Sequence, residues 1–199
     1  MKNKLLNPNI LVALGFSMAL VIIAVFVSST ATSNNQSNFS LGNTAIAADF
    51  QYLSQKGNSS CGGQFKESVS TMPDEARLQG SCCSPMNEHR YQEQIEGLKE
   101  FSDISEIPTN PYDIDATLAK QLLKAYDREL TAEQQAAYDF AMKNSDERGP
   151  CCCKCWRWYV YGGLGKVLIQ DYGFSGAEVA TIWDLSDGCG GAGDHVSEH

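Results

Sequence analysis

The longest apolar run of the chain lies near its N-terminus. Residues 10–27 are apolar apart from one glycine and one serine. Lys2 and Lys4 precede this run, and no other basic residue occurs before Lys56. Because positive charge keeps its side of an apolar segment in the cytoplasm, the rest of the chain is expected outside. The pattern predicts a signal peptide or an N-terminal membrane anchor over residues 1–31, and a protein that is membrane-anchored, periplasmic or at the cell surface.

A long polar stretch follows the apolar run. Residues 32–80 are rich in serine, asparagine, threonine, glutamine and glycine, and they show no apolar period. Such a composition is typical of flexible linkers, so these residues are interpreted as a stalk. A Cys-rich helical domain is then expected over residues 81–199.

Apolar residues beyond His89 recur at helical spacing. Suitable N-cap residues precede several of these patterns, namely Asp113 or Asp115, Thr131 and Ser175. The fold class predicted from the pattern is all-α, a small bundle of four to five short helices without a convincing strand. The predicted helices cover residues 89–101, 114–130, 131–144, 150–173 and 175–188.

The charge of the chain excludes two classes of partner. The formal net charge is −9 and the isoelectric point is about 4.7. Binding to nucleic acid or to an anionic lipid surface requires clustered lysine and arginine, and the sequence contains no such cluster. Contact with a membrane is therefore expected only through residues 10–27.

Eight cysteines form the strongest compositional signal. Four of them fall within residues 151–155, beside a predicted helix N-terminus where free backbone N–H groups stabilise negative charge. Lys154 and Arg157 add positive charge nearby. These conditions favour the thiolate, which is the species that binds a soft metal ion. The other cysteines are Cys61, Cys82, Cys83 and Cys189.

The backbone conformation decides which thiols of this segment face a common ion. A helix would bring together Cys151, Cys152 and Cys155. An extended segment would bring together Cys151, Cys153 and Cys155 instead. Three thiolates suit copper(I) and four suit zinc, so copper(I) is the expected ion and zinc the alternative. The candidates for a further ligand are Cys82, Cys83, Met86, His89 and Cys189.

Two other functions remain open for the cysteines. Four long-range disulfides are numerically possible, and they would make the protein a disulfide-stabilised structural or interaction domain at the cell surface. Cys152 and Cys155 have the C-x-x-C spacing of thiol-disulfide oxidoreductases. The sequence contains no Ser-His-Asp context, glycine-rich phosphate loop or HExxH motif.

The segment of residues 137–155 resembles a bacterial family of exported proteins named for its PCYCGC motif. In that family an aromatic-rich helix leads through a short loop into the motif, and the matching run here is PCCCKC at residues 150–155. Cys151, Cys153 and Cys155 fall on the three cysteines of the family, while cysteine and lysine replace its tyrosine and glycine. The resemblance implies metal-type cysteines at these three positions and implies no reaction.

These features together predict an extracytoplasmic protein that binds a soft metal ion through a cysteine cluster. A carrier or scavenger of copper(I) is the favoured role. A protein partner for metal transfer would fit this role.

Overall fold

Helices dominate the part of the chain that the computed structural model describes, residues 44–57 and 66–190. The mostly helical fold class is confirmed, and five of the seven helices in these ranges lie beyond residue 81. The helix over Glu88–Leu98 continues into a 3-10 turn at Lys99–Phe101. The helices are α1 (residues 44–53), α2 (Lys66–Ser70), α3 (Glu88–Leu98), α4 (Ala116–Ala125), α5 (Ala132–Asn144), α6 (Trp156–Asp171) and α7 (Gly176–Leu185).

Two short strands form an antiparallel pair that the apolar pattern does not predict. Strand β1 (Arg77–Gln79) pairs with β2 (Asp113–Asp115), with Leu78 opposite Ile114. Both of these side chains are buried, and each is flanked by polar residues. A strand of three residues shows a single alternation, which is too short for a period of two to stand out. The expected absence of strands is therefore wrong.

Helix α6 lies in the main apolar core and contacts two neighbouring helices closely. A Cβ atom at Gly163 would lie 1.9 Å from the carbonyl oxygen of Leu122, so α4 packs directly against the backbone of α6. On another face, Trp183 of α7 packs against Gly165 and donates its indole N–H to the Tyr161 carbonyl at 2.8 Å. These contacts fix α6 and, with it, the start of the helix.

Capping side chains place the starts of three helices where the sequence indicated. Asp115 accepts the backbone N–H groups of Thr117 and Leu118. Thr131 and Ser175 each form a reciprocal capping box with the residue three positions later. Because each cap satisfies backbone donors that have no partner within the helix, the predicted N-caps are confirmed.

Helix α4 ends five residues before its predicted end. The carbonyl oxygens of Tyr126 and Arg128 accept hydrogen bonds from the Lys166 ammonium group at 2.6 and 2.7 Å. The Glu129 carbonyl accepts one from Gln170 at 2.7 Å. These side chains of α6 satisfy the carbonyl groups at the end of α4, so further helical turns are not needed there.

Helix α6 begins six residues later than the sequence predicts. Pro150 is a favourable first helical residue, but the helix starts at Trp156. Its N-cap residue, Cys155, has φ −83° and ψ −172°, which is an extended conformation. The preceding residues 151–154 form an irregular loop rather than a first turn, because the thiols of Cys151, Cys152 and Cys153 contact sulfur atoms from other parts of the chain.

The folded unit begins earlier than the predicted boundary. Leu53, Val69 and Leu78 all fall within the predicted stalk of residues 32–80, yet each is at most 2% exposed. The described parts of that range are thus structured, which corrects the interpretation as a stalk. Composition was misleading because a few apolar residues among many polar ones are enough to anchor a short segment.

None of the helices in the described ranges is long and apolar enough to cross a bilayer. The predicted signal peptide or anchor over residues 1–31, with its apolar run at 10–27, lies outside the described residues. Cys61 also lies outside them. All contacts described below lie in the unit that starts at Ile46.

Candidate metal centre

Backbone hydrogen bonds join two distant segments at the centre. Cys82 donates its N–H to the carbonyl of Gly188 at 3.0 Å, and Ser84 donates its N–H to the carbonyl of Cys189 at 2.9 Å. The Ser84 hydroxyl donates to the same Cys189 carbonyl at 2.9 Å. The loop after β1 is thereby paired with the segment after α7, and the thiols of Cys82 and Cys189 come to lie 3.6 Å apart.

The loop between α5 and α6 supplies the other thiols. Its last residues are tightly turned, since Cys155 donates its N–H to the carbonyl of Cys153 at 2.8 Å. Cys151, Cys153 and Cys155 have ligand atoms within 4.8 Å of one another. The sequence left two groupings of thiols open, and this one is the grouping that was expected for an extended segment. Cys152 lies between them in sequence, and its sulfur instead contacts that of Cys189 at 2.8 Å.

Seven cysteines are described, and no disulfide joins any two of them. They form one network of sulfur contacts, which we call the thiol cluster. The predicted alternative of a disulfide framework is thus not formed among the described residues. The members of the thiol cluster are Cys82, Cys83, Cys151, Cys152, Cys153, Cys155 and Cys189.

The sulfur–sulfur distances are those of neighbouring ligands rather than of bonded atoms. A disulfide bond is about 2.05 Å long. Thiolates bound to a tetrahedral ion at about 2.3 Å are about 3.8 Å apart along each edge. Apart from the 2.8 Å pair, the contacts fall between 3.4 and 3.9 Å. The thiols are therefore spaced as they would be around shared metal ions.

The thiols fall into three groups of three, and in each group all ligand atoms lie within 4.8 Å of one another. The groups differ in solvent exposure: all members of the first are buried, the second has two exposed members, and the third has one half-buried member. They are the central group (Cys82, Cys151, Cys189), the exposed group (Cys83, Cys152, Cys189) and the loop group (Cys151, Cys153, Cys155).

A buried arginine packs against Gly188, the residue that precedes Cys189. Arg157 is 1% exposed, and its guanidinium donates to the carbonyl oxygens of Pro111 at 2.6 Å and Gly80 at 3.2 Å. Its Nε atom has no hydrogen-bond partner among the described residues. The space for the guanidinium depends on Gly188, where a Cβ atom would lie 2.2 Å from the Arg157 Cζ atom.

The thiols provide the acidic surroundings of this arginine. Burial by itself would lower the pKa of Arg157, but Tyr161 and the thiols of Cys82 and Cys151 raise it above its ordinary value. A buried cation is costly unless negative charge lies close to it. An anionic metal–thiolate centre would supply that charge, so the donor set and the guanidinium both fit a bound soft cation.

Hydrogen bonds among the thiols shift their pKa values in opposite directions. Bonds from Cys151 and Cys82 lower the pKa of Cys189 to about 5, and a bond with Cys155 lowers that of Cys151. The pKa of Cys82 is raised, chiefly by its hydrogen bond with Cys151, and that of Cys152 is raised chiefly by burial. Thiols this close therefore do not all ionise together without a cation between them, because like charges disfavour one another.

Two candidate ligands from the sequence lie away from the thiol groups. Met86 belongs to a separate apolar cluster with Leu53 and Tyr91. The side chain of His89 is 83% exposed, and its Nδ1 atom lies 4.0 Å from a Glu93 carboxylate oxygen. The structure brings neither residue to the thiols.

The C-x-x-C pair of the sequence is divided between groups. Cys152 belongs to the exposed group and Cys155 to the loop group. Each sulfur contacts cysteines other than its C-x-x-C partner, Cys189 for the first and Cys151 for the second.

Sequence reasoning missed several backbone groups that shape the centre. The carbonyls of Gly80 and Pro111 hold Arg157, and those of Gly188 and Cys189 hold the loop after β1. Backbone carbonyls carry no residue-specific signal, and the sequence indicated Arg157 only as a nearby positive charge. Gly188, next to Cys189, is the residue whose type could have indicated that another group packs closely against the backbone here.

No protein-family model, no curated protein and no solved structure matches the chain. The resemblance to the PCYCGC family accordingly stays a prediction.

Proposed function

We propose that this protein binds copper(I) outside the cytoplasmic membrane and acts as a carrier or scavenger of the ion. The observation that carries the proposal is the convergence of seven cysteine side chains from three separate segments into overlapping groups. A cluster of seven cysteines has no advantage for packing alone, since small apolar residues would fill the same space without reactive groups. Thiolates are the preferred ligands of soft ions.

Group size favours copper(I) over zinc. Each group of the thiol cluster has three thiols rather than four. Structural zinc sites are almost always four-coordinate, whereas three thiolates satisfy copper(I). Zinc is the alternative, and it would require thiols from two groups to combine around one ion.

The surroundings support an anionic centre of this kind. Helix α6 directs its N-terminus at the loop group, because Cys155 is its N-cap. The positive end of the helix and the Arg157 guanidinium both stabilise the net negative charge that a copper(I) ion bound by three thiolates retains.

A role in carrying or scavenging is supported by unequal exposure. Cys83 and Cys152 are exposed, whereas Cys82, Cys151 and Cys155 are buried. Exposed thiolates allow a partner protein to exchange ligands with the bound ion, and buried ones protect it from solvent. The apolar run at residues 10–27, with lysines on one side only, supports an extracytoplasmic location.

Titration with copper(I) under anaerobic, reducing conditions, against a chromogenic chelator, tests the proposal. The full chain should remove copper(I) from the chelator and develop sulfur-to-metal absorption. A variant with Cys151, Cys153 and Cys155 changed to serine should bind less copper(I), because only the exposed group then keeps all three of its thiols. Met86→Leu and His89→Ala are the matched controls, and both should bind as the unchanged chain does. Failure of the full chain to compete, or an undiminished amount of bound copper(I) in the triple variant, would refute the proposal.

A further inference from the structure

The thiol cluster offers more ligand positions than one ion can use. Three groups of three thiols make nine ligand places, and seven cysteines fill them because two belong to more than one group. Cys189 is shared by the central and exposed groups, and Cys151 by the central and loop groups. Every described cysteine belongs to at least one group.

We infer that the cluster binds three copper(I) ions, one in each group, with the thiolates of Cys189 and Cys151 bridging neighbouring ions. This inference rests on the proposed function and specifies its stoichiometry. A thiolate has several lone pairs and can bind two soft ions at once. The central ion is then linked to both outer ions, and the other five thiolates are terminal ligands.

The distances around the two shared sulfurs fit this arrangement. The Cys151 sulfur lies 3.4 Å from that of Cys189 and 3.7 Å from that of Cys155. The Cys189 sulfur lies 3.6 Å from that of Cys82. Three thiolates around an ion with bonds of about 2.3 Å are about 4 Å apart, so modest adjustment of these side chains would complete each position.

Bridging also limits the negative charge of the centre. Three separate copper(I) sites would need nine thiolates, whereas shared sulfurs reduce the number to seven. Arg157 interacts electrostatically with Cys82 and Cys151, which are both members of the central group. The ion with no exposed ligand is therefore the one whose ligands interact with the buried guanidinium.

The gradient of exposure gives the three ions different access to solvent. Both terminal ligands of the exposed group, Cys83 and Cys152, are exposed, and their sulfurs are 3.7 Å apart. The ion in this group should exchange first with an incoming thiolate. The ion in the central group should exchange last, because all three of its ligands are buried.

The stoichiometry of copper(I) in the full chain tests this inference. Metal and protein are measured after loading and removal of loosely bound copper, in the unchanged chain and in a Cys61→Ser variant that leaves only the seven described thiols. Both should hold three equivalents, and X-ray absorption should show a copper–copper scattering path, which needs bridging sulfur. Cys83→Ser/Cys152→Ser should hold two equivalents, with circular dichroism confirming that it is folded.

The outcomes separate this inference from the proposed function. One tightly bound equivalent without a copper–copper path would overturn the three-ion cluster and leave copper binding intact. Any other stoichiometry, or three equivalents in the double variant, would also overturn it. Absence of tight copper binding in the unchanged chain would overturn both.

Discussion

Replacing Arg157 by methionine isolates the contribution of the buried guanidinium. Methionine approximates the length of the side chain but removes its charge and its hydrogen-bond donors. The bonds lost are those to the carbonyls of Pro111 and Gly80, at 2.6 and 3.2 Å. A hydrogen bond from a charged donor contributes about 1.5–3 kcal/mol. Because loss of the guanidinium also removes its desolvation cost, the free energy of unfolding should fall by about 3 kcal/mol in total.

Copper affinity should fall for a separate reason. Two unit charges about 4 Å apart interact by about 4 kcal/mol at an effective dielectric constant of about 20, and by less at longer range. Exposed members of the cluster admit solvent and reduce this value, so we expect a loss of roughly 10- to 100-fold in affinity. Arg157→Lys keeps the charge but cannot span both carbonyls, so it should lose stability and retain most of the copper affinity.

Urea unfolding of the metal-free protein and competition with a copper(I) chelator measure the two effects separately. Arg128→Met is the matched control, since Arg128 forms an exposed ion pair with Asp171 at 2.7 Å and such pairs contribute about 1 kcal/mol or less. If Arg157→Met kept the copper affinity of the unchanged chain, the guanidinium would not be the counter-ion of the cluster. Equal losses of affinity in the lysine and methionine variants would assign the effect to structure rather than to charge.

Three further predictions concern the fold and its link to the metal. Gly163→Ala places a Cβ atom 1.9 Å from the Leu122 carbonyl oxygen, so the free energy of unfolding measured with urea should fall by at least about 3 kcal/mol. Gly57→Ala is the control and should change the free energy of unfolding little, because the space around Gly57 is open. An unchanged stability of Gly163→Ala would mean that α4 and α6 can separate. Burial raises the pKa of Asp184 to about 6, so the contribution of this carboxyl group to stability should be lost as pH rises from about 4 to about 6. After allowance for solvent screening, Asp184→Asn should therefore be more stable than the unchanged chain by about 1 kcal/mol at pH 7. At pH 4 the two proteins should be equally stable. A difference in stability that does not depend on pH would contradict this reasoning. Removal of copper from the loaded protein by a chelator should lower its melting temperature. The physical reason is that a free ion at about 1,000 times its Kd stabilises the folded state by about 4 kcal/mol. An unchanged melting temperature would mean that the ion does not bind to the folded unit.

The helices and their caps could be predicted because the signals are local. Thr131 and Ser175 are followed three residues later by Gln134 and Glu178, and these pairs form the capping boxes that the sequence indicated. The start of α6 was mispredicted because Pro150 is a strong local signal, and contacts of the loop thiols with remote sulfurs override it. Local propensity is a weak prior where tertiary contacts compete with it.

The identity of the thiols could be predicted, but their grouping could not. Crowding within residues 151–155 and the chemistry of cysteine were enough to name the segment. The grouping depends on Cys82 and Cys189, which are 107 positions apart and are brought together by backbone hydrogen bonds. His89 lies only a few residues after Cys83 in the sequence. Helix α3 begins at Glu88, however, and places the His89 side chain on an exposed face.

The way in which the cluster is assembled connects metal binding to the fold. Backbone hydrogen bonds join the loop at Cys82 to the segment at Cys189, and sulfur contacts connect both to the loop that precedes α6. An ion held by Cys151 and Cys189 would therefore be a link between α6 and the end of the chain beyond α7, and its binding energy would add to the stability of the folded state. Ligand exchange at Cys83 and Cys152 would break none of the contacts that hold α6 in the core, because these thiols lie at the exposed edge. The arrangement would thus separate an edge where bound ions exchange from an interior whose bound ions support the structure.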